Sequence, residues 1–266
     1  MATESRFARD TTVRQIDERR WQAEVAKGWD ILGVPNGGYI MAIAARALAG
    51  ALPHPHPLSV SGYYLERTEP GPAELHCELL RAGKTVSSAC LRFMQGGRER
   101  ARFLASFADL ASQAGPSFVD ETPPQLPAPA QCERHVMPVN ISERLDLLTP
   151  PGQASWLEGK TGEHAEHTGW IALSEGGEPD PLSLLLFADG FPPAVFARFG
   201  PTGWVPTLDL AVQVRALPAP GHILGRFRTR YLTDGQMEED GELWDSRGRL
   251  VALSRQLARF RLPERQ

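Results

Sequence analysis

The chain has 266 residues, 42% hydrophobic and 23% charged, with 28 Lys and Arg against 32 Asp and Glu for a formal net charge of −4. That length can bury a full core, and the mild acidity gives no reason to expect nucleic acid or a membrane surface as a partner. No apolar run approaches the ~20 residues of a membrane span, Met1–Asp10 lacks an apolar signal core, and the odd set Cys77, Cys90 and Cys132 has no CxxC pair, so reduced thiols and a cytoplasmic location are expected.

In chain order, Thr12–Ala26 alternates loosely and predicts an opening strand. The loop Gly33–Gly38 leads into Tyr39–Leu52, Ala-rich and apolar almost all round, which predicts a buried helix ending at Pro53. Strands are expected at Leu58–Arg67, Ala73–Arg81, Thr85–Met94 and Glu99–Leu110. The short turns between them contain Gly71, Gly83 and Gly96-Gly97, so the links are hairpins and the strands form an antiparallel meander. Gly115–Ala130 is Pro-rich and reads as an extended connector. A strand at Gly169–Leu173 follows, then a helical stretch Leu182–Phe199 interrupted by Pro192-Pro193. Trp204–Arg215, Ile223–Leu232, Gln236–Trp244 and Arg249–Arg261 predict four further strands.

The second series repeats the first: strand, apolar helix, four antiparallel strands. A repeat with two copies predicts a pseudo-symmetric α+β fold, with units over 12–110 and 139–262 joined by a linker over 111–138. An antiparallel sheet wrapped around one long helix in each copy explains why Ile40–Leu48 lacks a polar face. Sites in such folds often lie where the halves meet.

The chain resembles the double-hotdog acyl-CoA thioesterases, the group that includes bacterial thioesterase II. The resemblance runs from about Trp29 to Phe260. It rests on Val34-Pro35-Asn36-Gly37-Gly38-Tyr39-Ile40 at the helix start, on Tyr64-Leu65-Glu66-Arg67-Thr68-Glu69-Pro70-Gly71, on Leu80-Arg81-Ala82-Gly83-Lys84-Thr85 and on Ala105-Ser106-Phe107. In the second copy Asp189 within Phe187-Ala188-Asp189, Thr207 within Val205–Asp209 and Gln256 within Leu253–Gln256 match the residue types of the family's polar triad. The chain departs from the pattern at Pro192-Pro193, directly after Asp189, and in the shortness of that helix.

The resemblance implies a double hotdog fold and hydrolysis of acyl-CoA to free acid and CoA in fatty acid metabolism. No cofactor is expected, since coenzyme A is part of the substrate. A homodimer or higher homo-oligomer is also implied. In this chemistry Asp189 is the base that deprotonates water, and Thr207 and Gln256 hold that water. The backbone amides of Gly37, Gly38 and Tyr39, at a helix N-terminus, are expected to receive the oxyanion.

The repeat adds a check of its own. Registering Arg67 on Arg215 sets Ser59 opposite Thr207, and registering Gly97 on Gly248 sets Ala105 opposite Gln256. The first helix has only apolar residues and Arg46 where the second copy has Asp189. One complete site per chain is therefore expected, with the first copy supplying the oxyanion and acyl pocket, whose depth is set by Tyr39, Met41, Phe187 and Phe191.

Two other functions stay open on the sequence. A non-catalytic acyl-CoA binder could use the same residues. A hydratase or dehydratase calls for a His near the helix, and neither predicted helix has one. No G-x-S-x-G elbow, P-loop or dinucleotide fingerprint occurs. His164 and His167 read as loop residues without a third metal ligand. The stripe Arg226, Arg228, Arg230, with Arg255 and Arg259, reads as a solvated outer face or as a contact for the phosphates of coenzyme A.

Overall fold

The structure is a computed structural model that describes residues 5–201 and 205–262. Consecutive hairpins build one 14-stranded sheet in which every pairing is antiparallel. From its N-terminal edge inwards it runs Val13–Gln15, Arg20–Val25, Gly71–Ala82, Val86–Gln95, Arg98–Ala108 and His56–Tyr64. The order then mirrors itself through Thr207–Val214, Leu250–Arg259, Gln236–Trp244, Ile223–Arg228 and Glu166–Leu173, with Leu145–Thr149 and Glu133–Arg134 at the far edge. The halves join where His56–Tyr64 pairs with Thr207–Val214, Ser61 opposite Ala211. Each copy is a hotdog, and the chain is a double hotdog.

The long helix Gly37–Ala51 is the first copy's filling. Asn36 caps it, its side chain accepting the Tyr39 N–H, and Ile40 to Ala45 are fully buried. Tyr39 stacks on Trp29 with centroids 5.1 Å apart.

The second helix is shorter than the sequence predicts. It spans Pro181–Phe187, opened by an Asp180 cap and Pro181 at its first turn. A separate turn Phe196–Phe199 follows. Pro192-Pro193 cannot continue a helix, and Asp189 lies just past the helix end rather than inside it. The two helices pack at backbone range: a Cβ on Gly38 would lie 2.6 Å from the Leu185 carbonyl oxygen.

Other boundaries also move. The opening strand divides into Val13–Gln15 and Arg20–Val25. The expected strand from Ile223 stops at Arg228, and Leu232–Thr233 pairs separately. Trp204, the expected start of another strand, lies outside the described residues; that strand runs Thr207–Val214. Leu145–Thr149 is a strand that the sequence pattern does not announce.

Candidate active site

The first helix's N-terminus points at the chain just beyond the second helix. Asn36 Nδ2 donates to Asp189 Oδ2 at 2.8 Å and to the Asp189 carbonyl oxygen at 2.7 Å. The Gly38 N–H donates to the same Oδ2 at 2.9 Å, and the Gly37 N–H also bonds the carboxylate. From the second copy's sheet, Gln256 Nε2 donates to Thr207 Oγ1 and reaches Asp189 Oδ1 at 3.4 Å. The bulge between Thr207 and Asp209 lets Leu210, rather than Asp209, face Gln256 across the strands. The structure thus brings Asp189, Thr207, Gln256, Gly37 and Gly38 together. It adds Asn36, which in the sequence stands out only as part of a loop.

All of these but Gly38 line a cavity of ≈ 120 Å³ between the halves, with Asn36 and Gly37 on one side and Asp189, Thr207, Glu239 and Gln256 on the other. A larger groove of ≈ 750 Å³ lies against the N-terminal strands, lined by Arg14, Glu24 and His76, and none of the triad touches it.

The electrostatics follow from enclosure. Asp189 keeps some accessibility through the cavity, but the protein around it replaces water, and this desolvation pushes its pKa up to about 6. Hydrogen bonds from Gly38, Gly37, Gln256 and Asn36 pull the other way. The helix N-terminus adds partial positive charge beside the anion. The two carboxylate oxygens are unequal: Oδ2 takes short bonds from Asn36 and Gly38, whereas Gln256 reaches Oδ1 only at 3.4 Å.

Two expectations are corrected here. The Gly38 and Tyr39 amides are not free for an oxyanion: Gly38 holds Asp189, and the Tyr39 N–H donates to Asn36 Oδ1 at 2.9 Å as the helix cap. The anion that this helix end binds is the protein's own carboxylate. Of the residues expected to set pocket depth, Phe191 lines the cavity, whereas Tyr39, Met41 and Phe187 are buried in the core.

The arginine stripe lies on an outer face where Arg230 and Arg255 are exposed, and four of its members are paired. Arg226 and Arg228 pair with Glu242, Arg226 also with Glu121, and Arg230 and Arg255 pair with Asp240. His167 lies on the strand Glu166–Leu173 rather than in a loop, buried against Trp156.

Glu239 is a member of the cavity that sequence reasoning missed. The run Glu238-Glu239-Asp240 reads as a surface charge cluster. Strand alternation turns Glu239 inwards with Met237 and Leu243, where it is buried.

Residues 25–108 match the family model of the acyl-CoA thioesterase N-terminal domain, and residues 119–260 match that of the C-terminal domain. The chain belongs to the acyl-CoA thioesterase family. It is similar to a Thermobifida fusca protein solved under a provisional thioesterase II label, at 34% identity and TM-score 0.90, covering 98% of this chain and 99% of that one. An uncharacterised Mycobacterium tuberculosis protein is 28% identical over 264 residues, 90% of each chain. The acyl-CoA thioesterase II TesB2 of Mycobacterium marinum shares the fold at 18% identity and TM-score 0.76, over 97% of this chain and 99% of that one.

Proposed function

We propose that this thioesterase-family chain hydrolyses acyl-CoA thioesters to free acid and CoA, with Asp189 as general base. The supporting observation is the unequal carboxylate. Oδ2 is anchored by Asn36 and Gly38, and Oδ1 is left to receive a proton at the cavity wall. A pKa near 6 leaves Asp189 mainly ionised at neutral pH yet far more basic than an ordinary aspartate.

Thr207 and Gln256 position the water. Gln256 Nε2 donates to Thr207 Oγ1, which leaves the threonine's own hydrogen to donate to a water oxygen. A water held between that hydroxyl and Asp189 Oδ1 keeps a lone pair for the thioester carbon. Asp189 takes a proton as the C–O bond forms, and the carbonyl π pair moves onto oxygen. When the carbonyl re-forms, the C–S bond breaks and its pair leaves on sulfur. A thiolate whose acid has a pKa of ~8.5 leaves without strong acid assistance. The proton on Asp189 then passes to sulfur or solvent.

The test is release of free thiol from a panel of acyl-CoAs of different chain length, by the wild type and by Asp189→Asn. Release by the wild type and its loss in a folded Asp189→Asn variant support the reading. Saturable binding without release from any member favours the non-catalytic binder.

A further inference from the structure

Oxyanion stabilisation needs a donor aimed into the cavity, and removal of one such donor typically costs ~10²–10³ in kcat. The N–H donors around Asp189 are already engaged. Gly37 and Gly38 bond Asp189, Tyr39 caps its own helix, and both hydrogens of Asn36 Nδ2 go to Asp189. Gln256 Nε2 serves Thr207 and Asp189, and the Tyr64 hydroxyl donates to the Gly37 carbonyl oxygen. The Thr207 hydroxyl hydrogen is committed to the hydrolytic water.

Glu239 fills this gap. It lines the same cavity and is the cross-strand partner of Gln256, so both side chains project from one face of the sheet. Its Oε2 accepts the Ala194 N–H at 2.6 Å, and among the described residues no hydrogen bond reaches Oε1. The residue is 6% exposed on an inner face shared with Met237 and Leu243.

Its charged neighbours are Asp189 across the cavity and Glu238 and Asp240 on its own strand, all acidic. Gln256 on the adjoining strand is neutral. Arg255 on that strand binds Asp240 on the opposite face. Burial first, then these anions, push the Glu239 pKa up to about 8, against the pull of the Ala194 N–H. A carboxyl so placed keeps its proton at neutral pH while Asp189 has lost its own, and its O–H has no acceptor among the described residues. Two acidic groups driven apart in this way divide acid and base roles.

We propose that Glu239 is a further catalytic residue of this site, donating its carboxyl hydrogen to the thioester carbonyl oxygen. The inference rests on the thioesterase reading of Asp189. As water attacks and Asp189 takes its proton, the π pair arriving on the carbonyl oxygen is met by the Glu239 O–H, which shares its hydrogen without transferring it. Collapse of the intermediate expels the thiolate and releases that hydrogen bond, so Glu239 ends each turnover still protonated.

The experiment compares the wild type with Glu239→Gln and Glu239→Leu by thiol release across the pH range. Leucine removes the donor and is expected to lower kcat about 10²–10³-fold with KM little changed. Glutamine keeps an N–H donor that cannot ionise. It is expected to recover most of kcat and to lack the alkaline fall in rate that the wild type is expected to show near pH 8. A Glu239→Leu enzyme within a few-fold of wild-type kcat, or a Glu239→Gln enzyme with the wild-type alkaline limb, overturns the proposal. If the leucine variant does not fold, the pH profile of the glutamine variant decides. A wild type that releases thiol while both variants behave like it refutes the role of Glu239 alone. A wild type that releases none from any acyl-CoA refutes the thioesterase reading beneath it.

Discussion

Asp189 is defined by what holds it rather than by its own chemistry. Asn36 both caps the first helix and clamps the carboxylate, and it is among the groups that lower the Asp189 pKa against desolvation. Asn36→Ala is therefore expected to do two things. Loss of the cap destabilises the fold by about 1 kcal/mol, seen as a lower melting temperature. Loss of the donor raises the Asp189 pKa, which moves the acid limb of kcat/KM to higher pH. An acid limb that stays in place shows that Asn36 does not act on the base. At this scale the sequence is unevenly legible. Asp189, Thr207 and Gln256 emerge only through family resemblance, because a lone Asp, Thr or Gln carries no spacing signal. Their partner Asn36 is hidden because its role depends on contact with a residue in the other half. Glu239 is readable from parity alone, since Met237, Glu239, Gly241 and Leu243 share one side of a strand. Its two acidic neighbours disguise it.

The decisive elements are two helix ends packed against each other. A Cβ on Gly38 would lie 2.6 Å from the Leu185 carbonyl oxygen, 2.9 Å from Asp189 Cβ and 3.0 Å from Leu186 Cα, mostly backbone that cannot step aside. Gly38→Ala should push the helices apart, destabilising the fold by about 1–3 kcal/mol and breaking the bond from the Gly38 amide to Asp189. Thermal unfolding and kcat measured together check this, and an unchanged melting temperature with unchanged kcat contradicts it. Most strands are readable as elements because hairpin turns and alternation are local signals. The end of the second helix is harder to place. Leu184-Leu185-Leu186-Phe187-Ala188 and the later Ala194–Phe199 read as one helical pattern, whereas the helix ends at Phe187. The strand Leu145–Thr149 pairs with Glu166–Leu173 across a long intervening loop, and so leaves no hairpin signature.

Across the whole molecule, the mirrored strand order makes one sheet from two copies, and the site arises because the copies have diverged. Where the second copy carries Gln256, the first has the buried Ala105. The two cavity acids also leave a signature in global stability. Asp189 and Glu239 bind protons in the folded state that the unfolded chain releases, so each favours folding at low pH and loses that contribution as pH rises through its folded pKa, about 6 and about 8. His167, whose pKa burial lowers to about 4, acts oppositely: its contribution is lost as pH falls from 6.5 towards 4. Between pH 6.5 and 8 Glu239 contributes most to this dependence, and stability should fall with a slope of about 1.4 kcal/mol per pH unit near pH 6.5 that halves by pH 8. Chemical denaturation across this window is expected to show that slope in the wild type and a flattened one in Glu239→Gln. Equal slopes would mean that Glu239 is ionised in the folded protein.

The central claim is that a half-buried aspartate, held firmly through Oδ2 and only by a long contact at Oδ1, draws the proton from a hydrolytic water. The most direct measurement is the pH dependence of kcat/KM for acyl-CoA hydrolysis by the wild type and by Asp189→Asn. The wild type should lose activity below a pKa near 6, and the variant should be slower by about 10²–10⁴-fold on the neutral plateau, without that acid limb. A folded Asp189→Asn enzyme that keeps the wild-type rate and the same acid limb contradicts the account.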